Sequence, residues 1–193
     1  MLLADYGLVW LLGDGPPTAW PAWRQGWSSF ASEAGFGLTV MVLAALLAGW
    51  GWLARRREWR CGARWLLGAT LLAGCWAQVI KHLVGRPRPS QLLKLGAWLP
   101  AGPTFRTAFD SFPSGHAATV FATAPLLAAL FPRAARLWPL LAAVVALGRV
   151  AGGSHYLSDV VAGALLGGLI GRYVTDCWRA ELGPRGVVGH DPC

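Results

Sequence analysis

Charge is what this chain has least of. Only 13% of its 193 residues are Asp, Glu, Lys or Arg, and acidic side chains number 9 against 17 basic ones. A soluble domain carries about a quarter of its residues as charges, so a water-facing surface around a single core is excluded. Low-complexity tracts, internal repeats and any soluble domain are also absent. The four cysteines, Cys61, Cys75, Cys177 and Cys193, are scattered without metal-ligand spacing, so neither a zinc site nor a disulfide framework is implied.

Apolar sequence fills the rest. Hydrophobic residues make up 55% of the chain, 12 residues are Trp, and the mean hydropathy is +0.45. Five stretches, 34–53, 65–84, 115–131, 137–153 and 156–175, approach or reach the roughly 20 helical residues that cross a hydrocarbon core. The first 12 residues are apolar too, but that run is too short to span. It carries Asp5 and lacks a basic n-region or a cleavage site, which favours an interfacial or re-entrant segment over a signal peptide. The chain is therefore read as an all-α transmembrane bundle. Residues 1–33 form an N-terminal amphipathic segment, either an interfacial anchor or part of a lid; 34–175 are the membrane domain and 176–193 a cytoplasmic tail.

The net charge of +8 suggests nucleic acid in a soluble protein, but here the placement of charge matters more than its sum. Arg55, Arg56, Arg57, Arg60, Arg64, Arg133, Arg136, Arg172, Arg179 and Arg185 all fall on one side if each stretch crosses once, and the positive-inside rule makes that side cytoplasmic. Trp50, Trp52, Trp59, Trp65, Trp138 and Trp178 gather at the same interface; Trp10, Trp20, Trp23, Trp27 and Trp98 gather at the other. No nucleic-acid partner is implied.

On that topology Lys81, Arg88, Ser114, His116, Arg149, His155 and Asp159 share the outer membrane surface. Ionisable groups at membrane depth cost roughly 2.5–3.5 kcal/mol each and mark function; a shared anionic ligand offsets the cost. His155 and Asp159 stand four apart on one helix face, so the carboxylate is expected to hold one ring nitrogen and leave the other bare as a nucleophile. His116, from another helix, is placed to protonate a leaving oxygen. The stretch Asp110-Ser-Phe-Pro-Ser-Gly-His116 opens a helix, where free N–H groups of Ser114, Gly115 and His116 suit an anion. Asp110 is expected to cap that helix beside Ser111, and Arg86 to lie on a solvated loop.

Lys81-His-Leu-Val-Gly-Arg-Pro-Arg88-Pro89, then Pro113-Ser-Gly-His116, then Arg149 followed by His155 and Asp159, resembles the three-part signature of the type-2 phosphatidic acid phosphatase superfamily. The resemblance covers about residues 65–175 and looks like the bacterial membrane lipid phosphatases, including the undecaprenyl-pyrophosphate phosphatases. The bundle is read as five to six spans, because the family usually has six and this chain shows five plus a short N-terminal helix. The resemblance also implies an active site at the outer membrane-water interface of the bacterial inner membrane, facing the periplasm or exterior, and hydrolysis through a phosphohistidine without metal or other cofactor. His155 matches the nucleophile, Asp159 its partner and His116 the general acid. Lys81, Arg88, Ser114, Gly115 and Arg149 match the phosphate pocket. Gly148 departs from the pattern, which often has Ser before the Arg.

The implied substrate is a phosphomonoester or pyrophosphate of a membrane lipid: undecaprenyl pyrophosphate, phosphatidic acid, phosphatidylglycerol phosphate or a lipid A phosphate. No oligomeric state is implied. A non-catalytic carrier or receptor for anionic lipid needs the same cations but not an oriented neutral imidazole. A metal site at His116, His155 and Asp159 is opposed by the three nearby cations.

Overall fold

A computed structural model describes residue 5 and residues 21–34, 37–89 and 101–183. Among the described residues there are six α-helices and no strand: α1 Ala22–Ala34, α2 Gly37–Leu53, α3 Arg57–Val84, α4 Gly115–Leu130, α5 Leu137–Ala151 and α6 Leu157–Leu182. Each of the five apolar stretches thus contains a helix. By length and composition α3 and α6 can each cross a membrane, and α1 with α2 can do so jointly across a 58° bend. The apolar helices α4 and α5 are shorter, at 16 and 15 residues. The last helix continues through residues 176–182, part of the segment expected as a tail.

Large side chains point outward and small ones inward, the arrangement expected where lipid, not water, is the solvent. Leu165 and Leu169 are 66% and 71% exposed, whereas Ala69, Ala73, Ala118 and Ala122 are fully buried. The contact between α4 and α6 is the most extensive in the bundle. A Cβ added at Gly163, Gly167 or Gly171 would come within 2.4, 2.2 and 2.5 Å of the carbonyl oxygens of Ser114, Ala118 and Ala122. Both partners advance by four residues, so the two helices run parallel with their backbones in contact. Small residues repeated at four-residue spacing allow this close backbone approach. The contact also sets the starts of α4 and α6 level, which places His116 and Asp159 at one end of the bundle.

At the opposite end α3 and α6 are tied by Glu181, which accepts hydrogen bonds from Arg64 and from Trp65 Nε1, and by Trp178 Nε1 donating to the Glu58 carbonyl at 3.2 Å. Cys75 and Cys177 are free thiols. Pro125 lies inside α4 without ending it.

α3 ends at Gly85, whose left-handed φ of 59° turns the chain and whose missing side chain admits the Gly102 carbonyl. The following Arg86-Pro87-Arg88-Pro89 cannot continue a helix, and it carries two arginines back over the helix ends.

Candidate active site

His155 sits in the turn between α5 and α6, 3% exposed. Its Nδ1 lies 2.8 Å from the backbone carbonyl of Ser111, and a carbonyl can only accept, so Nδ1 carries the proton and Nε2 is left bare. Asp159 Oδ2 is 3.7 Å from Nδ1, which is charge contact and not a hydrogen bond. The expected i, i+4 pair is therefore present, but the atom that fixes the tautomer comes from the loop before α4. Burial pushes the His155 imidazole below its ordinary value, with Asp159 opposing and the Lys81 charge adding to the shift.

Asp159 is fully buried and orients its surroundings. Oδ2 accepts from Ser111 Oγ at 2.6 Å and from the Tyr156 N–H at 2.9 Å, while Oδ1 accepts from Arg86. Through Ser111 the carboxylate holds the very residue whose carbonyl holds His155. The Arg86 guanidinium also donates to Ser158 Oγ at 2.7 Å and to Asp5 Oδ2 at 3.1 Å, and lies 4.1 Å from the Tyr156 ring centroid. Asp5 in turn accepts from the Ser158 N–H at 3.0 Å and from Ser158 Oγ at 2.6 Å, capping the first turn of α6.

The cations form the other side. Lys81 Nζ donates to the Asp110 carbonyl at 2.8 Å, and Arg88 Nε to Asp110 Oδ1 at 2.6 Å. Burial opposes ionisation of the Asp110 carboxyl, but Arg88, with Lys81 and His155 behind it, holds it below the usual carboxylate range. Arg149, 7% exposed, donates through one terminal nitrogen to Ser32 Oγ, while its Nε is buried with no hydrogen-bond partner among the described residues. The three cations therefore retain donors that the described residues do not match. His116, at the start of α4, lies near the charges of Arg149 and Lys81 and beside the neutral His155, with the Ser32 backbone at its ring.

Several expectations need correction. The Ser114 N–H is not free, because it donates to the Asp159 carbonyl at 3.0 Å; first-turn N–H groups remain at Gly115 and His116. Ser114 itself is the N-cap of α4, its Oγ accepting from the Ala117 N–H at 3.4 Å. Asp110 is not the cap but the partner of Lys81 and Arg88. Arg86 is buried, not solvated, and with Asp5, Ser111 and Ser32 it completes a set the motif spacing did not reveal. The available signals were Asp5 inside an apolar run, where an ionised group demands a partner, and a second arginine at the break after α3. His82 does what a packing residue would, hydrogen-bonding the Thr104 carbonyl at 3.1 Å and stacking 4.7 Å from Phe105.

The family model described as the PAP2 superfamily matches residues 62–182, the same helices that carry this cluster. The chain belongs to the PAP2 superfamily. Among its relatives in that superfamily is a lipid A 1-phosphatase of Rhizobium etli, 36% identical over 104 residues, which are 54% of this chain and 45% of that protein. A lipid A 1-phosphatase of Porphyromonas gingivalis is 28% identical over 79% of this chain and 32% of its own length. The bacitracin transport permease protein BcrC of Bacillus licheniformis is 40% identical over 34% of this chain and 32% of its own. The chain thus spans less than half the length of these relatives. The crystal structure of a transmembrane PAP2 type phosphatidylglycerolphosphate phosphatase from Bacillus subtilis shares the fold, with a TM-score of 0.69 over 95% of this chain and 88% of that one at 20% identity.

Proposed function

We propose that this membrane protein is a lipid phosphatase that works through a phosphohistidine. The observation that carries the reading is the pairing of a buried imidazole, its Nδ1 proton committed to the Ser111 carbonyl, with cations that keep donors unmatched by the described residues, the buried Arg149 Nε among them. A phosphoryl group with three anionic oxygens satisfies those donors, and the bare Nε2 is the nucleophile that follows.

In this mechanism the lone pair of His155 Nε2 attacks phosphorus. The bond to the lipid-side oxygen breaks, and His116 gives that oxygen its proton. The phosphohistidine is then cleaved by water, whose proton returns to His116 as inorganic phosphate leaves and Nε2 recovers its lone pair. Lys81, Arg88 and Arg149, with the Ser114 hydroxyl and the N–H groups of Gly115 and His116, neutralise charge on the equatorial oxygens. No step uses a metal, and three clustered cations repel one.

The substrate is a phosphomonoester or pyrophosphate on a lipid anchored in the bilayer. An apolar groove of about 370 Å³ lies between α4, α5 and α6, lined by Phe121, Ala124, Pro125, Ala164, Leu165 and Gly168, and it begins little more than one turn along α4 from His116. It offers room for part of a lipid chain whose phosphate reaches the pocket. The site faces the exterior of the inner membrane, because the arginine-rich turns lie at the other end of the bundle. Undecaprenyl pyrophosphate, phosphatidic acid, phosphatidylglycerol phosphate and lipid A phosphates are the panel to assay.

Phosphate release by the purified protein in excess chelator tests the reading. Turnover of one or more of these lipids is expected. Tight lipid binding with no phosphate release would instead establish a carrier or receptor, the second reading.

A further inference from the structure

The helix nearest the N-terminus among the described residues is docked on the site by side chains along a single face. Arg24 Nε donates to the Ala151 carbonyl at 2.7 Å and Trp27 Nε1 to the Val144 carbonyl at 3.0 Å, so α1 satisfies two backbone acceptors in α5. The contact needs two glycines. A Cβ at Gly148 would meet Ala31 Cβ at 2.4 Å and Trp27 Nε1 at 2.9 Å, and one at Gly152 would meet Ser28 Oγ at 2.3 Å. Residues 24, 27, 28, 31 and 32 recur at three- and four-residue intervals, and the last of them, Ser32, accepts a hydrogen bond from Arg149. The Ser32 backbone stands beside His116.

We infer that Ser32 is a positioning residue for Arg149 and that α1, seated on Gly148 and Gly152, is an integral part of the phosphate pocket and not merely a membrane anchor. Arg149 is a long side chain among like charges, and Arg88 is one of the cations that act on it. Its buried Nε has no hydrogen-bond partner among the described residues, so the Ser32 hydroxyl and the last turn of α5 define where its free donors lie. Holding one terminal nitrogen leaves the rest of the planar fork facing a ligand in a fixed orientation. Gly148 then has a physical explanation: any side chain at that position lifts α1, and Ser32 with it, away from Arg149.

The inference rests on the phosphatase reading, and its test separates the two. Full-length protein in detergent is compared with Ser32→Ala, Ser32→Thr, Gly148→Ala and Arg149→Ala for binding of inorganic phosphate by calorimetry, and for KM and kcat on a lipid phosphate. Ser32→Ala is expected to weaken phosphate binding by about tenfold, the scale of one hydrogen bond to a charged group, with KM rising more than kcat falls. Ser32→Thr keeps the hydroxyl and is expected to stay within about twofold. Gly148→Ala acts without touching Ser32 and is expected to reproduce the Ser32→Ala loss, which covers the case in which Ser32→Ala folds poorly. Ser29→Ala, on the exposed side of the same helix, is the unchanged control. If Arg149→Ala loses phosphate while Ser32→Ala and Gly148→Ala bind it normally, α1 is not part of the pocket and the phosphatase reading stands. If the unsubstituted protein neither binds phosphate nor turns over lipid, both fall.

Discussion

Around His155 the charged groups are matched within the protein, whereas Arg149 is matched only in part by the described residues. Asp159 receives donors from Arg86, Ser111 and Tyr156, and Arg86 is shared with Asp5 and Ser158. Across the pocket Lys81 and Arg88 are held by Asp110, and Arg149 donates to Ser32 and keeps a buried Nε that no described residue matches. One wall is closed and fixes a nucleophile. The other carries surplus donors, whose burial is costly unless a ligand or water pairs with them. Substitutions on the two walls should therefore fail differently: those that loosen the closed wall through stability or the nucleophile, those on the open wall through binding.

The largest effect is expected at the nucleophile. His155→Ala should lower phosphate release by about 10⁴-fold or more with little change in lipid binding, and residual turnover near the parent rate would remove His155 from the mechanism. Next comes the hub of the closed wall. Arg86→Met leaves Asp5 and Asp159 as buried carboxylates without their cation, and a loss of about 3–5 kcal/mol is expected in denaturant or thermal unfolding. An Arg86→Met protein as stable as its parent would show that the closed wall is not held by charge.

On the open wall Arg149→Ala should reduce kcat/KM by about 10²- to 10³-fold. Its thermal stability should be unchanged or higher, because one of several crowded like charges is gone. A large stability loss in Arg149→Ala would erase the contrast between the walls. The smallest effect is in pH dependence. The nucleophile must be neutral and burial lowers its proton affinity, so His155 stays active below its ordinary value of 6.5 as pH falls. The acid limb of kcat/KM is expected below pH 6.5. The linked stability has the same sign: the unfolded imidazole binds its proton first, so stability is full above 6.5 and declines as pH drops from there. An acid limb above 6.5 would mean that the imidazole is charged more readily than its burial allows.

Much of this could be read from the chain. Helix positions followed from apolar length, a packing face on α6 from glycines at four-residue spacing, though not its partner α4, and the candidate set from polar residues at helix ends. What the sequence hid were pairings that depend on distance in the chain. Arg86 meets Asp159 and Asp5 across 73 and 81 residues, and Arg149 meets Ser32 across 117. Nothing in local spacing distinguishes such an arginine from one in solvent. The His155 tautomer was expected from Asp159, its neighbour on the helix, but a backbone carbonyl 44 residues away supplies it, and carbonyls carry no sequence signal. Gly148 read as a small departure from a motif until α1 was seen to occupy the space that a side chain would fill.

The central claim is that His155 Nε2 becomes covalently phosphorylated. Rapid acid-free quenching of the purified protein during turnover of a lipid phosphate, followed by mass spectrometry of its peptides, tests it directly. The account predicts an acid-labile, base-stable phosphoryl group on His155 that disappears as free phosphate is released. Steady phosphate release with no phosphopeptide, or with the phosphoryl group on any residue other than His155, would contradict it.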